Sequence, residues 1–232
     1  MQIIVTFPVT LFSFRLALLS VPSCHNHTMA PSKSNNIALV TCSTRDPRLN
    51  PFITKYVHDI LSAQIKTTNW PGRISIIDLA DQNLPLYNEP AIPSHLPVAD
   101  PTPHYVHEHT RAWSALVRQY DGFIFVTPQY NWSVPASLKN ALDYLFHEWA
   151  GKPAGIVTYG GRGGGKAADH LQGILNGLRM KPVQTMPGIV VKHTSMDAWK
   201  VGGEVSGEDR EAWRGAGVEE RIRSMFAEML ED

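Results

Sequence analysis

Two cysteines in 232 residues, Cys24 and Cys42, are too few for a disulfide scaffold, and neither stands in a CxxC or a Cys/His zinc spacing. Charge of one sign is missing too. The 21 Lys and Arg balance 21 Asp and Glu, so the broad basic footprint of a nucleic-acid binder is absent. No stretch suits a spanning helix, which needs about 20 apolar residues without a central charge. The most apolar segment, residues 1–23, is interrupted by Pro8 and Arg15. It also lacks the basic start of a secretory signal. There is no HExxH frame, no GxSxG elbow and no internal repeat. What remains is ample: 43% apolar residues and six Trp can build a sizeable core.

Residues 1–35 are read as a non-structural leader. Met29-Ala30-Pro31-Ser32 looks like a start of translation; a targeting segment is the next reading and a membrane anchor the last. From there strands alternate with helices. Ile37–Cys42, Arg73–Asp78, Gly122–Val126, Ala154–Tyr159 and Gly188–Val191 are short apolar runs without helical period, read as buried strands. Between them, Ile53, Val57, Ile60, Leu61 and Gln64 share one helical face after Pro51. A second helix is expected over about Tyr105–Tyr120. A third begins at Pro135 and carries Leu138, Ala141, Leu142, Leu145, Phe146 and Trp149 at spacings of three and four, with His147 near its end. Ala167, Leu171, Ile174, Leu175 and Leu178 mark a fourth. Six of the 17 prolines fall within residues 85–103, a surface or functional loop.

Five strands separated by helices imply a doubly wound parallel sheet, here residues 36–192. Residues 193–232 form an acidic tail with Val218, Ile222, Met225, Phe226 and Met229 at helical spacing. That helix could cap the sheet, meet a partner, or do neither. In such sheets ligands bind at the carboxyl ends of the strands.

Three loops lie there. Ser43 to Asn50 brings hydroxyls, Arg45 and Arg48 to a positive helix start, which suits a phosphate; a merely capped helix start is the alternative. Thr127 to Pro135 concentrates amide and aromatic groups between two prolines, suiting a flat heteroaromatic ring. A rigid turn whose aromatics simply pack is the plainer reading. Tyr159 to Lys166 holds five glycines that permit close backbone approach. It nearly spells a phosphate-binding P-loop, but Ala167 stands where Ser or Thr must reach magnesium. His104, His107 and His109 are read as a solvated helix start rather than a metal site.

Together the loops resemble the NADPH-dependent FMN reductase family of flavodoxin-like fold, which includes FMN, quinone, azo and chromate reductases. The family's S-x-R-x-x-S-x-N loop is matched by Ser43, Arg45 and Asn50, with Arg48 replacing the second serine. Its P-E-Y-N loop and L-K-N-A-x-D helix correspond to Pro128-Gln129-Tyr130-Asn131 and Leu138 to Asp143. Its K-P strand and glycine-rich loop correspond to Lys152-Pro153 and Gly160-Gly161-Arg162-Gly163.

The resemblance implies strand order 2-1-3-4-5, with FMN phosphate on Ser43–Asn50. It puts the ring between Gln129–Asn131 and the glycine loop. It also implies hydride transfer from NADPH through FMN to a small acceptor (quinone, free flavin, azo compound or chromate), with no catalytic side chain. A homodimer or homotetramer in the cytoplasm is expected, with no metal. Alternatives are an FMN-binding electron carrier and a regulatory protein that keeps the fold without catalysis. Residues 29–192 carry 15 minus 11 charges, or +4, and residues 193–232 carry 5 minus 10, or −5. The mildly basic part is the one whose arginines face the expected phosphate.

Overall fold

A computed structural model describes residues 35–192, 199 and 203–231. The leader expected over residues 1–34 lies outside them. Among the described residues the chain runs β1 (Asn36–Thr41), α1 (Asn50–Thr68), β2 (Arg73–Asp78), α2 (Glu108–Val117), β3 (Gly122–Pro128), α3 (Ala136–Asp143), β4 (Pro153–Gly160) and α4 (Gly165–Gly177). Two short strands follow, β5 (Lys181–Pro182) and β6 (Gly188–Val190), then α5 (Gly207–Gly215) and α6 (Val218–Leu230).

All strand pairs are parallel, in the order β2-β1-β3-β4-β5, with β6 also on β4. Side chains alternate across the sheet, so each strand serves two cores. Ala38, Val40, Phe123 and Phe125 pack with Trp113, Leu138, Leu171 and Trp149 under α2, α3 and α4. Ile37, Leu39, Ile124 and Val126 pack with Ile53, Val57, Ile222 and Phe226 under α1 and α6. Burial on both faces explains why the strands read as continuous apolar runs.

The strand expected at Gly188–Val191 is present as β6, and the two-residue β5 before it also pairs with β4. Two expectations are corrected. The second helix begins at Glu108, not Tyr105: the buried Glu89 carboxylate accepts from the Val106 and His107 amides at 3.0 and 2.9 Å, holding the approach extended. The third helix ends at Asp143. Phe146 donates its amide to the Glu148 carboxylate, and the Trp149 indole donates to the Leu142 carbonyl, so Leu145 to Trp149 reach the core through turns. His147 therefore does not end a helix.

Within residues 203–231 the tail forms two helices and contributes to the core. The Trp213 indole donates to the Val190 carbonyl at 2.8 Å, its ring lies edge-on to Tyr56, and Ile222, Met225, Phe226 and Met229 are buried. The proline-rich segment is fastened to α3 by Asn140, which accepts from the Tyr87 amide and donates to the Pro85 carbonyl.

Candidate functional site

The parallel order sends the β1–α1, β3–α3 and β4–α4 loops to the same sheet edge, where they enclose a cleft of about 310 Å³. Arg45, Arg48, Pro128, Gln129, Tyr130, Gly160 and Gly161 line it. These are seven of the twelve residues expected at the site.

Ser43 and Asn50 lie beneath the cleft as its framework. Asn50 is fully buried; its amide oxygen accepts from the Ser43 N–H at 2.7 Å and its amide nitrogen donates to the Val126 carbonyl at 3.0 Å. One side chain thus fixes the β1–α1 loop to the end of β3. Ser43 Oγ lies 2.8 Å from Tyr130 Oη and accepts from the Arg45 amide at 3.4 Å, tying the same two loops nearer the surface. Asn131 does not line the cleft. With φ of 45° and 67°, Asn131 and Trp132 form a tight turn closed by two 2.9 Å backbone bonds between Tyr130 and Ser133.

The two arginines behave differently. Arg48 makes a bidentate pair with Asp78 at 2.6 and 2.8 Å and donates to the Ser43 carbonyl. The Asp78 hydrogen bond holds its guanidinium above the ordinary arginine range. The residue that departs from the family's serine is therefore committed to bracing the loop against β2. The Arg45 guanidinium has no hydrogen-bond or ion-pair partner among the described residues, and the residue lines the cleft in the loop that leads into α1. An uncompensated guanidinium at a positive helix end is suited to an anion.

Gln129 explains the other departure. Its Oε1 accepts from the Lys166 amide at 3.0 Å, in the first turn of α4, and its own amide donates to the Tyr159 carbonyl. An amide oxygen makes that helix-end contact without adding a negative charge to the cleft. A Cβ on Gly161 would meet nothing within 4 Å, so packing does not demand glycine there and the wall stays open. Gly163 and Gly164 do need their left-handed backbone, with φ of 80° and 81°. Arg162 and Gly163 face away, lining a separate depression of about 350 Å³ with Asp169 and Arg221.

A neighbouring hollow of about 420 Å³, between Thr44, Ala80, Asn83 and Asn140, has no charged side chain in its wall. Of these two neighbouring hollows, the cleft with Arg45 is the one equipped for an anionic ligand. Sequence reasoning missed Asp78, whose role needs a partner 30 residues away. It also gave no site role to Tyr159, the residue that opens the glycine loop, or to Lys192, and both line the cleft wall.

The donor set fits a phosphate monoester joined to a flat ring system: one free guanidinium by a helix start, an aromatic and amide wall, and glycines that leave room opposite. A family model described as NADPH-dependent FMN reductase matches residues 35–193. An NAD(P)H-dependent FMN reductase of Saccharomyces cerevisiae is 40% identical over 158 residues, 67% of this chain and 80% of that one. One from Nectria sp. is 34% identical over 197 residues, covering 84% and 95%. The flavoenzyme NAD(P)H:(acceptor) oxidoreductase FerB of Paracoccus denitrificans shares the fold, with TM-score 0.58 and 21% identity over 84% of this chain and 98% of that one. The chain belongs to the NADPH-dependent FMN reductase family.

Proposed function

We propose that the chain is an NAD(P)H-dependent oxidoreductase that holds FMN in the Arg45–Gln129–Gly160 cleft and passes reducing equivalents to a small acceptor, with quinones as the favoured class. The observation that carries this reading is the free Arg45 guanidinium at the start of α1, inside a cleft built by the three loops the family motifs mark. Quinone reductase from Pseudomonas putida, 30% identical over 145 residues, supports the acceptor class.

Bound FMN supplies the redox chemistry, while the protein supplies orientation and electrostatics. Arg45 and the α1 amide end neutralise the phosphate. Pro128, Gln129 and Tyr130 form one wall for the ring, and Gly160 and Gly161 let the backbone approach from the other. No side chain in the cleft is assigned an acid–base role, since Gln129 is an amide. Exposed Leu86, Ile92, Val98 and Val106 on and beside the proline-rich segment support self-association into a dimer or tetramer. A buried, unpaired Cys42 thiol suits the reducing cytoplasm.

Titration of the purified protein with FMN, followed by flavin fluorescence, tests the site. Wild type is expected to bind FMN, and Arg45→Ala to weaken binding by about 1.5–3 kcal/mol, the worth of a charge-assisted hydrogen bond. Unchanged affinity in Arg45→Ala would contradict the phosphate assignment.

A further inference from the structure

The cleft wall includes a tyrosine hydroxyl with no role so far. Tyr159 stands near the end of β4, in register with Pro128 on β3 and Ile189 on β6. It is only 5% exposed and packs on the α1 face of the sheet with Val126, Val157 and Ile189. Its ring is held by this core, yet its hydroxyl makes no hydrogen bond with any described residue and is not sealed from the cleft it lines. A phenol whose ring is held by packing, and whose oxygen has no protein partner and is open to a ligand cleft, is suited to donate to a ligand.

Its surroundings say which part of the ligand. On the α1 face the opposite wall of the cleft is Arg45, Pro47, Arg48 and Leu49, the loop that leads into α1. Burial pushes the hydroxyl upward; Tyr130 and Cys42 push the same way, and Arg48 and Arg45 pull it down. It therefore stays a neutral donor at physiological pH, beside the phosphate loop. Arg48 is spent on Asp78, which leaves Arg45 to supply charge and Tyr159 to supply a hydrogen bond. The ring's polar edge would have its own partners in Gln129, Tyr130 and the Gly160–Gly161 backbone.

We propose that the Tyr159 hydroxyl donates to the 5′-phosphate of the flavin, beside Arg45, and so sets the preference for FMN over unphosphorylated riboflavin. This rests on the reading of the cleft as the FMN site. The residue opens the glycine loop of Tyr159 to Lys166, yet its side chain lies on β4 among core neighbours.

Equilibrium titrations with FMN and with riboflavin, on wild type and Tyr159→Phe, test it. Phe keeps the buried ring, and a thermal unfolding scan matching wild type confirms the fold. Tyr159→Phe is expected to bind FMN about tenfold more weakly and riboflavin as wild type does, cutting the preference about tenfold while Arg45 retains the rest. Equal weakening of both ligands, or no change in either, would overturn the proposal while leaving the FMN site standing. Failure of wild type to bind FMN would instead overturn the reading of the cleft, and this inference with it.

Discussion

Arg45 and Arg48 are three positions apart in one loop, yet only one is available to a ligand. The difference comes from Asp78 at the end of β2, which the parallel β1–β2 pairing brings beside the loop. A bidentate pair with both side chains about one-fifth exposed braces the loop before any ligand arrives. Neither the pairing nor Arg48's commitment was legible in the sequence, since the partner is remote along the chain. Asn50 is a similar case: its type suggests a helix cap, and its two long-range bonds make it a pin between strands. A residue at the other end of the sheet carries a pH signature. Lys152 donates to the Val117 carbonyl at 3.0 Å and lies over Phe123; burial lowers its ammonium to about 8, with Asp121 and Glu148 opposing. Its folded value lies below the unfolded one, so the unfolded chain binds more protons between about pH 8 and 10.4. Lys152 therefore detracts from stability below that window and is relieved as pH rises through it. Denaturant melts across the window should show this rise in wild type and lose it in Lys152→Met.

At the scale of elements, the strands were the most readable parts, because burial on both faces makes them unbroken apolar runs. β3, wholly buried from Gly122 to Pro128, is the plainest case. Element ends were less readable where a distant carboxylate decides them. Glu89 sets the start of α2 and Glu148 the turns after α3, and neither effect has a local signature. The α6–β4 contact is another non-local feature. A Cβ on Gly155 would lie 2.9 Å from both the Met225 and Met229 sulfurs, so glycine at this strand position lets the helix approach. Methionine side chains can shift for one methyl but not for a branched group. Gly155→Val is expected to cost about 1–3 kcal/mol by overpacking, read as a lower denaturation midpoint, and Gly155→Ala much less.

For the whole molecule, the parallel doubly wound sheet was legible from the alternation of strands and helices, its order came from the family resemblance, and the three-loop cleft was legible because such a fold gathers its binding loops at one edge. The role of the last helices was not, since an amphipathic helix reads the same whether it faces its own sheet or a partner. Trp213, Ile222, Met225 and Phe226 complete the core over α1 and β4. At about 1.5–3 kcal/mol for each large apolar side chain, their loss rivals the about 5–15 kcal/mol that holds a domain together. A chain ending at residue 192 is expected to lose cooperative unfolding, as circular dichroism during a thermal scan will show. That acidic segment therefore balances the basic part in charge and supports it in packing. The central claim is that the cleft holds FMN for reduction by NAD(P)H. Its most direct test is the visible spectrum of FMN-loaded protein under anaerobic conditions, recorded before NADPH, after it, and after a quinone. The account predicts bleaching by NADPH and recovery with quinone; colour that NADPH leaves unchanged would contradict it.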